Sequence, residues 1–318
     1  MARSPFQIQP DLTGIAIAYK NQEYIADMIA PRETVNAELF EWDELNIDSM
    51  YEFQDDQVGR LSAPNQVTFA STRKPGSTVD HGLDSPVPQK DMDNYQGVGA
   101  SPLAIATEGV TELVMLNREK RVADIVQTAA NYKAGNTIPL SGTSQFSDYS
   151  NSNPVDAILT ALDIPLVRPR VMVLSNYGWR VLRQHPKVVE SVKGTGAGSD
   201  ARGVVARQQV ADLLELDAVY VGTARGKATP RNVDAAVSTP ARIWGKHLAL
   251  LGVDPMAKLL NMNRPTFLMT AQFGNRVAGI IQDPDMGLDG GVRVRAGEKV
   301  REVIMTKECS YFFENAFA

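Results

Sequence analysis

Chemistry needs donors, bases or nucleophiles that the chain can bring together, and residues of that kind are few and scattered here. The three histidines, His81, His185 and His247, stand alone, and Cys309 is the single cysteine. No HExxH pair or cysteine pair offers metal-ligand spacing. Asp283, Asp285 and Asp289 invite a calcium-loop reading, but Pro284 and the missing twelfth-position glutamate fit one poorly, so a turn is expected. Gly194, Gly196 and Gly198 are spaced like part of a dinucleotide fingerprint. They follow a lysine-ended helical segment rather than a strand, so they would not aim a helix N-terminus at a pyrophosphate, and a surface loop is expected. Neither a Walker A lysine motif nor a GxSxG turn occurs. The reading is therefore of a non-enzyme with no catalytic residues, no metal ligands and no cofactor.

Charge narrows the partners. The net charge of -5 supplies no general counterion for nucleic acid, although a local patch could still touch it. Such a patch exists in 164–193, where Arg168, Arg170, Arg180, Arg183, Lys187 and Lys193 are opposed only by Glu190. It could face nucleic acid, pair with acidic residues of another copy, or be solvated. Its best complement in the chain is the stretch 41–56, acidic at positions 41, 43, 44, 48, 52, 55 and 56 with no basic residue. A single cysteine excludes an intrachain disulfide and favours a reducing compartment, with Cys309 read as a small residue of the final strand. The start has no secretory pattern, and no apolar run approaches the ~20 residues of a membrane span.

The elements that would position these residues are legible from periodicity and punctuation. The segment up to Tyr19 holds a short apolar run, 15–18, and 21–30 reads as one or two helical turns closed by Pro31. Within the acidic stretch, Leu45, Ile47, Tyr51 and Phe53 recur at mostly even spacing, the period of a strand with one apolar side. The span from about 40 to 90 therefore reads as a long polar two-stranded excursion. A free ribbon of that kind needs another surface, in its own chain or on a neighbour. Ser101-Pro102 then caps and opens the clearest helix, reaching Asn131, with a broad apolar stripe that includes Leu113, Val114, Val122 and Ile125. Gly109 marks a bend or a close packing point on it. A polar loop leads to a compact block: a helix over 155–162, a strand over 170–174, a helix carrying Trp179, a helix over 203–214 and a strand over 218–222. Segments 243–251, 266–273, 291–295 and 299–307 are further strand or buried candidates, and the aromatic run 311–317 is expected to be tied down. Helices mixed with non-adjacent strands give an α+β class.

This order of parts resembles the major capsid proteins of tailed bacteriophages with the HK97-type fold, in particular the lambda-like branch called capsid protein E. The features that carry the resemblance are the arm, the hairpin opening with Phe40-Glu41-Trp42, the spine helix at 101–132, the αβ block 154–222 and Ile243-Trp244-Gly245-Lys246. It implies an N-terminal arm at 1–38, an extended β-hairpin loop (the E-loop) at 39–90 and a peripheral domain with the spine helix at 91–153. An axial αβ domain would occupy 154–240, and 241–318 would return strands through both domains. Leu45, Ile47, Tyr51 and Phe53 would then be E-loop contacts with the neighbouring subunit, joined by Arg180 and Arg183 as intersubunit contacts. Leu113, Val114, Val122 and Ile125 would be spine core, and 194–198 a loop near the capsomer axis.

The implied function is self-assembly of many copies into hexamers and pentamers of an icosahedral shell enclosing double-stranded DNA. That implies a virion protein, assembled in the host bacterial cytoplasm without membrane contact. Separate scaffolding, portal and decoration proteins are candidate partners. No long charged coiled-coil segment precedes the arm, so a fused scaffolding domain is not expected, and neither Lys74 nor Lys90 matches a crosslinking site, so assembly should be non-covalent. An encapsulin-like compartment and a soluble enzyme with an unrecognised site are the alternatives.

Overall fold

The computed structural model describes the chain except residues 1–5, 20, 22, 46, 48–50, 52, 54, 67–70, 98, 194–202, 228–239 and 261–263, and the side chains of Leu45 and Ser71. The glycine-rich tract 194–198 therefore lies outside the described residues.

From the N-terminus, strand β1 (Gln7–Ile8) leads into helix α1 (Pro10–Ala18), which opens with proline at its first position. Helix α2 (Ala26–Ile29) and strand β2 (Arg32–Val35) follow. The apolar run at 15–18 did not reveal α1. Leu12 and Ala16 bury one side of it against Val110, Ala278 and Ala296. Thr13 fastens it to the sheet, with its Oγ1 donating to the Ala278 carbonyl at 2.9 Å and accepting from the Ala278 N–H at 3.2 Å.

The hairpin pairs β3 (Leu39–Leu45) with β4 (Ser71–Ser77). Strand β5 (Val79–Pro88) does not continue the excursion. It returns to the main sheet, where Val87 is buried with Val292 and Val294. Helix α3 (Gln89–Asp93) and the spine helix α4 (Pro102–Val126) come next. Ser101 caps α4 by accepting from the Ala104 N–H at 3.2 Å, and its 25 residues span about 37 Å. The helix stops short of the expected Asn131, because 129–131 tighten into a 3₁₀ turn.

Strand β6 (Thr137–Pro139) and helix α5 (Pro154–Asp163) open the second half. Strand β7 (Val171–Ser175), α6 (Asn176–Leu182), α7 (Pro186–Lys193), α8 (Arg207–Leu214) and β8 (Ala218–Gly222) complete the block. A two-residue ribbon joins β9 (Arg225–Gly226) to β10 (Ala241–Arg242), and β11 (Leu248–Leu251) follows. Strands β12 (Leu268–Asp283), β13 (Gly291–Ile304) and β14 (Ser310–Glu314) end the chain. The separate strands expected over 291–295 and 299–307 form one continuous strand. Gly297 does not interrupt it, because it lies opposite Gly82 where a Cβ would sit 2.7 Å from the His81 carbonyl oxygen.

Two sheets organise these parts. The first has the order β1-β12-β13-β5, with β2 parallel to β12. Its β12–β13 ladder shifts register between Phe273 and Val277, where Gly274 takes a φ of 67°. The second sheet has the order β6-β14-β11-β7-β8. Strand β7 is buried on both faces, which explains its unbroken apolar run. Met172 and Leu174 face a core shared with α5 to α8, whereas Val171 and Val173 face one shared with the spine and the arm. The aromatic C-terminal run is split the same way: Tyr311, Phe313 and Phe317 enter the first core and Phe312 the second.

Candidate assembly surface

The arm is held by charges that lie on the apolar side of the spine. Glu119 is fully buried and accepts hydrogen bonds from the Ile25 N–H at 3.1 Å, the Ala26 N–H at 2.8 Å and Trp244 Nε1 at 2.6 Å. Burial pushes its pKa above the ordinary carboxylate value, against the opposing pull of those three donors. The adjacent Arg118, 2% exposed, ion-pairs with Asp27 and donates to the Ala30 carbonyl and to Thr270 Oγ1. Around it, Arg32 bridges Asp27 at 2.7 Å and Glu298 at 2.8 Å, Arg276 reaches Glu298 at 3.2 Å, and Arg121 reaches Glu302 at 3.1 Å. Burial works against ionised Asp27 and Glu298, but the arginines more than offset it and hold both pKa values below the usual range. One network thus ties the arm, the spine and the first sheet. Its signal in the sequence is that Arg118 lies four residues from both Val114 and Val122, on the apolar stripe itself.

The stripe also needs one correction. Val114 and Val122 are buried and Ile125 packs against the core that holds Val122, but Leu113 is 51% exposed and is not spine core. It lies on the outer side with Ile105, and a Cβ added at the intervening Gly109 would meet nothing within 4 Å.

The hairpin is anchored at its base and uncovered at its tip. Trp42 packs into a core with Leu259, Met269 and Met305, over Gly76, where a Cβ would lie 2.6 Å from the indole. Arg73 pairs with Glu41 at 3.7 Å and Asp43 at 3.1 Å, and Lys74 pairs with Glu44. The acidic base is therefore neutralised by the return strand and not by the basic tract. That tract is divided as well: Arg168 pairs with Glu215 at 3.1 Å and Arg170 with Asp217 at 3.9 Å.

The expected contact residues fall into different places. The Leu45 side chain lies outside the described residues, and Ile47 is 3% exposed, so its partners are in its own chain and not in a neighbour. Tyr51 is 54% and Phe53 106% exposed, and Leu61, which the sequence reading passed over, is 96% exposed. Arg180 is exposed, with its guanidinium carbon 5.2 Å from the centre of the Tyr177 ring. Arg183 is half-buried over Trp179, and its buried Nε has no acceptor among the described residues.

The residues considered for chemistry do not converge. Asp283 pairs with Arg293 and Asp289 with Lys90 around a turn. Among the described residues, no group of three or more His, Cys, Asp or Glu side chains could hold a metal, and no helix is long and apolar enough to cross a membrane. His185 is a core residue whose Nδ1 accepts from the Lys187 N–H at 3.2 Å, which leaves the Nε2–H to face Ser152 Oγ at 3.0 Å. Burial lowers its pKa from 6.5 to about 4. Because the folded value is depressed, the stability it contributes is complete above pH 6.5 and is lost as pH falls toward 4. Urea unfolding of the unassembled protein between those pH values should show a slope one proton shallower in His185→Gln, and identical slopes would refute this origin.

A first sheet crossed by a spine helix, a second sheet clad by short helices and a projecting hairpin constitute the HK97-type capsid fold. Solved structures share it. A phage-related protein from Bordetella bronchiseptica matches with a TM-score of 0.74 at 20% identity, over 98% of each chain. The capsid of cyanophage P-SCSP1u matches with a TM-score of 0.56 at 9% identity, over 93% of this chain and 89% of that one. No family model matches the chain. The major capsid protein of Pseudomonas phage JBD67 is 42% identical over 320 residues, spanning all of both sequences. The chain belongs to the major capsid proteins of bacteriophages. An encapsulin-like identity is the less supported alternative.

Proposed function

We propose that many copies of this chain close into an icosahedral shell of hexamers and pentamers around double-stranded DNA. The observation that carries this reading is the hairpin tip, where Phe53 and Leu61 have almost no cover from their own chain. Phe53 and Leu61 are large apolar side chains left exposed in one loop, which can supply part of an interaction surface. In this reading 1–38 is an arm, 39–90 the hairpin segment, whose β3–β4 part is laid on a neighbour while β5 stays in the first sheet, 91–153 a peripheral domain with the spine, and 154–240 an axial domain. Segment 241–318 returns strands through both. Tyr51 and Phe53 contact the next copy, as does Arg180. Stability of the hairpin is then linked to association, since its apolar tip is buried only in the assembly. Scaffolding, portal and decoration proteins act as separate partners, and assembly in the host cytoplasm precedes residence in the virion. Sedimentation and negative-stain electron microscopy of the purified protein, with scaffold supplied, should show rings or closed shells. Persistent monomer under those conditions would reject the proposal.

A further inference from the structure

One cluster of like charges has no ion-pair partner among the described residues. Arg225 and Arg242 are Cα partners across the β9–β10 ribbon, an arrangement of like charges directly opposite each other that is unfavourable without a counterion. The guanidinium carbons of Arg180 and Arg242 lie 5.2 and 5.4 Å from the centre of the Tyr177 ring. That ring partly stabilises both cations but neutralises neither. All three arginines are exposed, and among the described residues none of their guanidiniums is ion-paired or hydrogen-bonded. Unengaged guanidiniums present planar pairs of N–H donors that fit carboxylate or phosphate oxygens.

The opposite deficit lies at the hairpin tip. Asp55 and Asp56 are exposed and have no ion pair among the described residues, whereas Glu41, Asp43 and Glu44 at the hairpin base are already paired with Arg73 and Lys74. Beside the two aspartates stands the uncovered Phe53. An aromatic anchor next to charges is the composition of an interface focus. Three arginines facing two carboxylates also match in scale, whereas holding nucleic acid at physiological salt takes many more phosphate contacts in a chain whose net charge is -5.

We propose that Arg180, Arg225 and Arg242 form a socket for the carboxylates of Asp55 and Asp56 from the hairpin tip of a second copy. This rests on the shell reading above and specifies the partner surface that the loop seeks. Its attraction is steering and orienting as much as binding, and it weakens as salt rises.

A charge-swap experiment tests it. Arg180→Glu with Arg242→Glu, and separately Asp55→Lys with Asp56→Arg, should each lower shell yield roughly tenfold at unchanged thermal midpoint. Combining all four should restore most of the yield. If the glutamate pair does not fold, Arg180→Gln with Arg242→Gln serves in its place and should show the same loss at low salt. Normal yield in either folded double variant overturns the socket, and so does a folded four-fold variant no better than the doubles. Shells that form normally in the arginine variant but retain less DNA would assign the patch to phosphate and also overturn it. A wild-type chain that never assembles rejects the shell reading itself, which separates that failure from failure of the socket.

Discussion

Glu119→Ala is expected to destabilise the unassembled protein by about 3–5 kcal/mol, the range for breaking a buried charged network on one side only. The substitution leaves three buried donors, the Ile25 and Ala26 N–H groups and Trp244 Nε1, without an acceptor. Each orphaned donor costs about 1–3 kcal/mol, and the cavity left by the side chain adds to it. Glu119→Gln should lose less, because one amide oxygen can still accept, although its NH₂ group would oppose a remaining donor. Urea unfolding measures the loss. Limited proteolysis should locate it in the arm, with early cleavage between α1 and β2, because Glu119 holds the start of α2 to the spine. Wild-type stability together with an arm as protease-resistant as before would show that Glu119 is not the fastening.

The second large effect separates assembly from folding. Phe53 is fully exposed, so Phe53→Ser should change monomer stability by no more than about 0.5 kcal/mol. In a shell the same change removes roughly 1.5–3 kcal/mol of apolar burial from every hairpin contact. Because each copy carries that loss, shell yield should fall by roughly tenfold or more. Leu61→Ser should behave alike. Ile47→Ser makes the contrast: this residue is 3% exposed, and the substitution should cost about 2–4 kcal/mol in the isolated chain. Thermal melts paired with sedimentation of assembly reactions distinguish the two classes. Unchanged shell yield in Phe53→Ser would remove the tip from the interface, and an unchanged melt in Ile47→Ser would place Ile47 with it.

The contrast between Phe53 and Ile47 shows how far periodicity reaches. Alternation marked 45, 47, 51 and 53 as one apolar side, but it could not tell which members are covered by their own chain, since that depends on contacts distant in sequence. The same boundary appears along the spine. Ser101-Pro102 announced its start, because capping is local. The role of Arg118 and Glu119 was concealed, because their partners Asp27, Ile25 and Trp244 lie about ninety or more residues away in the chain. Strand β7 was readable as an uninterrupted apolar run, whereas β12 and β13 were read too short because Gly274 and Gly297 resemble breaks. In the folded chain one glycine accommodates a bulge and the other a close approach to β5. The acidic stretch was visible as a run of charge, but its neutralisation by Arg73 and Lys74 depended on hairpin register.

Function in this account lies in extended surfaces shared between copies, and the position of the hairpin in the assembled particle tests that most directly. A cryo-electron microscopy map of the shell should show the tip around Phe53 of each copy resting on an adjacent copy, with its apolar surface covered there. A map in which every tip folds back onto its own chain, leaving the neighbours joined elsewhere, would contradict it.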